Sequence, residues 1–472
     1  MNICGELEAD TGSFRDRNNR VYYAERKVLR GVSEAALKNW SKISGQQFFK
    51  KMMENGDLIP TKLLPATDRN ALTILKEGWA GVLQHQKIPF ISYPYEWTFG
   101  MLKDSALLHL DILERSLKSG WILKDATAYN VQWIGTKPTF IDIISFEPYK
   151  EGNPWGGYRQ FCMMFLIPLL LKAYRDVDYI PLLRSDLEGI DPVQAVKIFP
   201  KSSLFRKAVF LHIFLHAKLQ MAFYDDKASK QTEPRKAIRH SKAMVLGTIQ
   251  GLHRIVQRLD LQNKETIWRN YADCHSYDED SYGQKQAFVR KHLQSTRWKL
   301  VWDIGCNTGT FSQICSEFSD YVISIDGDQY AIEALYQKQK QKAKGNILPL
   351  IMDLSNLSPN QGWLGQERKD LESRGQPELL LCLALIHHMV ISANIPMRDY
   401  LGWIRQMNAA VIIEFVGPGD EMTKVLLKNK VNQYTDYTKE NFEQIARERF
   451  LMVDSCPLKG GDREVYFLKP KS

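Results

Sequence analysis

The stretch Leu300-Val301-Trp302-Asp303-Ile304 reads as a short apolar strand that runs directly into Gly305-Cys306-Asn307-Thr308-Gly309. Beyond that turn, Phe311, Ile314, Cys315 and Phe318 fall at i, i+3, i+4 and i+7, the stripe of an amphipathic helix. A strand that passes through a glycine turn into a helix cannot close a hairpin, so its next neighbour in the sheet is reached by a crossover and lies parallel. The pattern recurs: strands are expected at 321–325, 347–352, 379–383 and 410–415, with a helix over 331–344 and a closing strand pair near 450–453 and 464–468. A doubly wound α/β sheet follows. Pro349 inside the third of these strands has no N–H to donate and predicts an edge position for it.

The glycines of the turn let the backbone bend sharply and approach a ligand closely. A dinucleotide site would want a further glycine where Asn307 stands, so that the backbone can touch a pyrophosphate. The turn therefore favours an adenosyl ligand without phosphates. Asp326 ends the second strand 23 residues after Asp303, close to the roughly 20-residue spacing at which an acid meets ribose hydroxyls. Asp353 follows the third strand and brings another carboxylate to the same sheet edge.

In this order and spacing, Asp303 to Gly309, Ile323-Ser324-Ile325-Asp326, Ile351-Met352-Asp353 and Leu383-Ala384-Leu385-Ile386-His387-His388 resemble the class I S-adenosylmethionine-dependent methyltransferases. The resemblance covers about residues 268–472. It implies a Rossmann-like seven-stranded sheet, S-adenosyl-L-methionine as cofactor, Asp303, Gly305, Asn307 and Gly309 around the methionine end, Asp326 on the ribose hydroxyls and Asp353 on the adenine amino group. Upstream, the run from Trp268 through Tyr271, Tyr277 and Asp278 to Lys285 resembles the leading helix that covers the cofactor in many of these enzymes, with Tyr271 and Tyr277 as lid residues. The stretches Ala384 to His388 and Glu414-Phe415 look most like bacterial methyltransferases grouped with nodulation-type proteins.

A sulfonium is already a strong leaving group, so the protein has to align a nucleophile with the methyl and take the proton of a hydroxyl or amine. His387 and His388 follow the fourth strand, and Glu414 ends the fifth at the same mouth. One histidine is expected as the general base, with Glu414 orienting it or the substrate. The loop Glu414 to Asp420, with Gly417-Pro418-Gly419 inside it, is expected to shape the acceptor pocket.

In the first half, Lys124-Asp125 precedes Asn130 by a few residues, and Asp142 follows the apolar pair Phe140-Ile141. These residues resemble the catalytic loop and metal-binding Asp of the protein-kinase and aminoglycoside-kinase-like fold, which implies Asp125 as a base-like residue and Asn130 and Asp142 as magnesium ligands. The resemblance divides an N-lobe of about residues 1–95 from a helical lobe of about 96–264, with Phe90 to Trp97 as the hinge and helices expected over 105–119 and 155–174 in the second lobe. No glycine-rich phosphate loop precedes residue 90, no lysine is assignable to the phosphate-facing strand, and no Gly follows Ile143. The reading preferred is a degenerate, helix-rich α+β kinase-like domain that selects substrate or partner.

At 472 residues the chain exceeds what one core usually serves, and a boundary is expected near residue 264, making 1–264 and 265–472 the two domains. The apolar runs 161–171 and 208–214 fall well short of the roughly 20 residues of a membrane span, and the acidic N-terminus has no signal-like apolar stretch, so a cytoplasmic location is expected. Seven cysteines stand without a C-x-x-C pair, and no Cys/His set has zinc spacing, so no metal is expected. The net charge of +9 is uneven: residues 265–472, with 25 basic and 27 acidic side chains, carry −2, and residues 1–264 carry +11. No basic stripe is interleaved with aromatics, so nucleic acid is not the expected partner. The expected function is methyl transfer to an O or N acceptor, a small molecule or glycan before a protein. The alternatives are a non-catalytic cofactor-sensing scaffold and a bifunctional protein with an active N-terminal phosphotransferase.

Overall fold

The computed structural model describes residues 7–25, 27–221, 239–261, 279–342, 345–428, 430 and 433–471. They form two compact units, one of residues 1–133, 138–262 and 362–367, the other of 134–137, 263–361 and 368–472. Among the described residues no helix is long and apolar enough to cross a membrane.

The first unit begins with a five-stranded sheet in the order β1-β2-β3-β5-β4, from β1 (Glu8–Ala9), β2 (Asn19–Ala24), β3 (Lys27–Val32), β4 (Thr61–Leu63) and β5 (Gly81–His85). Every pairing in it is antiparallel. Tyr22, Leu29, Ile74 and Val82 pack one face of it. Helix α1 (Phe99–Lys118) follows, started by the Thr98 side chain, which accepts the Met101 N–H. It begins six residues before the expected start at Ser105 because that cap lies upstream of the apolar stripe. Four short strands come next: β6 (Trp121–Leu123), β7 (Val131–Ile134), β8 (Lys137–Phe140) and β9 (Phe146–Pro148), paired as β6-β9 and β7-β8. The stretch expected as one helix over 155–174 is three consecutive pieces, Tyr158–Phe161, a π-helical turn Cys162–Leu166 and Ile167–Arg175, with Pro168 at the start of the last.

The second unit opens with helix α2 (Glu279–Leu293), and its sheet has the order β12-β11-β10-β13-β14-β16-β15. The strands are β10 (Trp298–Ile304), β11 (Ser319–Asp326), β12 (Ile347–Ile351), β13 (Leu379–Cys382), β14 (Ala410–Val416), β15 (Phe450–Pro457) and β16 (Arg463–Pro470). Strands β10 to β14 are parallel, and β16 pairs antiparallel with both β14 and β15. The order in which strands are added therefore reverses between β10 and β13, where the first three strands spread one way and the rest the other. That is the crevice in which an open α/β sheet binds ligands, beyond the carboxyl ends of its strands. Strand β12 is at the edge, and Pro349 lies opposite Ser324 there. Helices α3 (Thr310–Phe318), α4 (Gln329–Lys340) and α5 (Met397–Gln406) supply the crossovers. Residues Val301, Ile323, Leu348, Leu380 and Ile412 are fully buried, as a sheet covered on both faces requires.

Candidate active site

The carboxyl end of β10 sets the floor. Asp303 is 2% exposed, and Ser312 Oγ donates to its Oδ2 at 2.5 Å while Ser324 Oγ donates to Ser312 Oγ at 2.8 Å. Burial pushes the Asp303 carboxyl up to about 6, against the opposing pull of the Ser312 hydroxyl.

The turn that follows is left-handed at three positions, Gly305 (φ +74°), Asn307 (φ +50°) and Gly309 (φ +78°). Gly305 and Cys306 donate their N–H groups to the Ile325 carbonyl, which fastens the turn to the next strand. At Gly309 a Cβ would lie 2.5 Å from the Leu335 side chain on α4, so this position needs glycine for packing as well as for φ. Asn tolerates positive φ better than most residues, which is how Asn307 replaces a glycine here. Its N–H donates to Asp326 Oδ2 at 2.8 Å, so the departure from the glycine pattern still leaves the turn bonded to the acid that ends β11.

Asp326 also accepts the Asp328 N–H at 2.9 Å, and Asp353, two residues past β12, accepts from both Ser355 N–H and Ser355 Oγ. The two carboxylates thus hang from consecutive parallel strands with their orientation fixed by backbone donors.

The end of β13 carries a feature with no sequence mark. Ala384 is left-handed (φ +50°), and its N–H donates to Glu414 Oε2 at 2.8 Å. Glu414, on β14, is fully buried, and its carboxylate takes Lys285 Nζ at 2.5 Å and Arg463 Nη1 at 3.3 Å. Arg463 reaches on to Asp420 at 2.8 Å. Lys285 comes from α2 and Arg463 from the first position of β16, so two cations and two carboxylates from distant segments balance one another. Among the described residues Glu414 bonds to no histidine. The buried carboxylate is taken up by the nearest cations and by the N–H that turns the chain toward His387.

Just past Ala384, His387 is 2% exposed with its Nδ1 buried and without a hydrogen-bond partner. Burial, helped by His388, drives its pKa down to about 3. His388 is exposed, its ring centroid 4.2 Å from that of His387, and its pKa is also lowered by burial, with Asp326 opposing.

Asp303, Gly305, Asn307, Asp326, Asp353, His387 and His388 all line one cavity of about 700 Å³, together with Tyr282, Lys285, Phe311, Ala384 and Arg463. Gly309 shapes the turn from behind, and Glu414 supports the wall through Lys285, Arg463 and Ala384. Tyr271 and Tyr277 lie outside the described residues. Asp125, Asn130 and Asp142 belong to the first unit. Sequence reasoning missed Arg463 and the left-handed Ala384, and it took Lys285 only as part of a covering helix. A Lys embedded in a polar helix and an Arg at the start of a late strand look like surface residues until the fold buries them.

No protein-family model matches the chain. Nodulation protein NoeA of Rhizobium meliloti (strain 1021) is 33% identical to it over 464 residues, which is 96% of this chain and 94% of that protein. The chain belongs to the NoeA family. The solved structures that resemble this NoeA-family chain over part of its length include two that follow. The N-methyltransferase NodS from Bradyrhizobium japonicum WM9 in complex with S-adenosyl-L-homocysteine is 15% identical, with a TM-score of 0.32 over 44% of this chain and 98% of that one. The magnesium protoporphyrin IX methyltransferase ChlM from Synechocystis PCC 6803 with bound S-adenosyl-L-homocysteine is 15% identical, with a TM-score of 0.30 over 44% of this chain and 95% of that one.

Proposed function

We propose that the second unit transfers a methyl group from S-adenosylmethionine to an oxygen or nitrogen of an acceptor, and that residues 1–264, read as a kinase-like domain, select that acceptor. The observation that carries this reading is the convergence of Asp303, Asp326 and Asp353, from the ends of three neighbouring parallel strands, on one cavity beside the left-handed turn 305–309. The donor set fits an adenosyl ligand. Carboxylates accept hydrogen bonds from hydroxyl and amino groups, whereas a pyrophosphate would ask for unspent cations. The cavity's Lys285 and Arg463 are already engaged with Glu414 and Asp420. A volume of about 700 Å³ is in the range of cofactor sites.

In this reading Asp326 receives the ribose hydroxyls, Asp353 the adenine amino group, and the turn with Asp303 the methionine end. When bound, the cofactor supplies an activated methyl on a positively charged sulfur. His388, exposed at the mouth, takes the acceptor's proton. His387, neutral across the ordinary pH range and too weak a base for that task, backs the ring of His388. Glu414 serves by holding Ala384 in its left-handed turn and so aiming the chain that presents both rings. The relative's name, a nodulation protein, directs the acceptor search to small molecules and glycans of nodulating bacteria.

Calorimetric titration of the purified chain with S-adenosylmethionine and S-adenosyl-L-homocysteine tests the cofactor. Binding is expected, and Asp326→Ala is expected to abolish it; a folded wild type that binds neither ligand sinks the reading. His388→Ala is expected to lower turnover by about 100-fold with cofactor binding unchanged, measured by transfer of labelled methyl to acceptor extracts.

A further inference from the structure

The kinase-like resemblance of the first unit assigns Asn130 and Asp142 to magnesium, and the residues around them do not fit that ion. Asp142 Oδ1 accepts Arg30 Nη1 at 2.7 Å, with the two side chains 21% and 11% exposed. Arg30 projects from the middle of β3, where it pairs in register with Val21 on one side and Leu83 on the other. The same Nη1 lies 3.2 Å from Asn19 Oδ1, so the guanidinium is held from two directions. A fixed guanidinium this close to Asp142 repels a second cation where a divalent ion would have to sit.

With Arg30 in place at Asp142, the neighbouring side chains supply no substitute set of ligands. Magnesium demands near-octahedral oxygen ligation. Asp125 Oδ1 is taken by Ser145 Oγ at 2.9 Å, and the buried Asn130 Nδ2, a donor, has no hydrogen-bond partner. Arg30 Nε is likewise buried without one. Among the described residues no group of three or more His, Cys, Asp or Glu is gathered so as to hold a metal ion.

We propose that Arg30 is the permanent cation of this site: it occupies the position at Asp142 that a divalent ion would otherwise take, and the first unit works without a metal-bound nucleotide. Asp142 then serves to hold the guanidinium rather than to bind metal. This inference is independent of the methyltransferase reading, since cofactor binding by the second unit is measured separately.

The test is titration of the full-length chain with Mn²⁺ alone, followed by electron paramagnetic resonance of the free ion. Wild type and Asp142→Asn are expected to give the same curve. Arg30→Gln is expected to bind Mn²⁺ about tenfold more tightly than wild type or better, and the double variant Arg30→Gln/Asp142→Asn to lose the gain. Arg30→Lys, which keeps a cation, is expected to show none. Mn²⁺ binding by wild type that disappears in Asp142→Asn overturns the proposal, as does a folded Arg30→Gln that gains nothing. If Arg30→Gln does not fold, the wild type and Asp142→Asn curves decide alone, coincidence supporting the proposal and divergence overturning it.

Discussion

At the scale of single residues, His387 and Asp303 store opposite responses to pH in one cavity. Burial holds the His387 pKa at about 3, below its ordinary 6.5, so between those values the unfolded chain binds a proton that the native chain refuses. Its contribution is fully present above pH 6.5 and is lost as pH falls toward 3. Asp303, raised from 3.8 to about 6, works in the other sense: between those values the native chain binds the extra proton, so stability is gained as pH falls through 6. The two trends offset each other in the wild type, and single variants separate them. His387→Leu is expected to be less acid-labile, gaining about 2 kcal/mol relative to wild type at pH 5 over pH 7, read from melting temperatures at the two pH values. An identical pH dependence in both proteins would mean that His387 is protonated in the native state. Residue-level legibility followed the chain's local logic. Asp303, Asp326 and Asp353 stood out in the sequence because each is a carboxylate at or just past the end of an apolar run. Ala384 was not, because an alanine in a left-handed conformation is enforced by a distant carboxylate, Glu414, and leaves no local signature.

At the scale of elements, the glycine turn and the α2–β14 tie are the two joints on which the cavity wall depends. A methyl at Gly309 would meet Leu335 and impose a side chain at φ +78°, so Gly309→Ala is expected to cost about 2 kcal/mol and to weaken cofactor binding. Chemical denaturation and calorimetry read the two effects on the same protein. Removing Lys285 from the buried Lys285–Glu414 pair leaves the carboxylate in the interior with only the longer contact to Arg463 as its ion pair. Lys285→Met is therefore expected to destabilise by about 3–5 kcal/mol, and Lys285→Met/Glu414→Leu to recover part of that loss. No recovery in the double variant would show that the Ala384 N–H and Arg463, rather than Lys285, are what Glu414 serves. Strands β10 to β14 were legible to within a few residues, since each is an apolar run bounded by a turn. The helical stretch after Trp155 was not, because the π-helical turn at 162–166 shifts the side-chain period that such a reading relies on.

At the scale of the whole molecule, the chain joins units of unlike charge and unlike architecture: an antiparallel sheet with helices in the positive first half, a mainly parallel sheet in the nearly neutral second. Each buries its own core, so each has the means to unfold as a cooperative unit. A ligand that binds only the native form of one unit stabilises that unit by an amount fixed by its concentration and affinity, about 2.7 kcal/mol at a hundredfold excess over Kd. Scanning calorimetry with saturating S-adenosyl-L-homocysteine is therefore expected to move one of two transitions upward and to leave the other in place, with Asp326→Ala abolishing the shift. Arg30→Gln acts on the other unit and is expected to lower the unmoved transition alone. If the cofactor raised both transitions together, the two units would share one cooperative fold, and acceptor selection by the first half would act on the methyl-transfer site through that shared stability rather than through recognition alone.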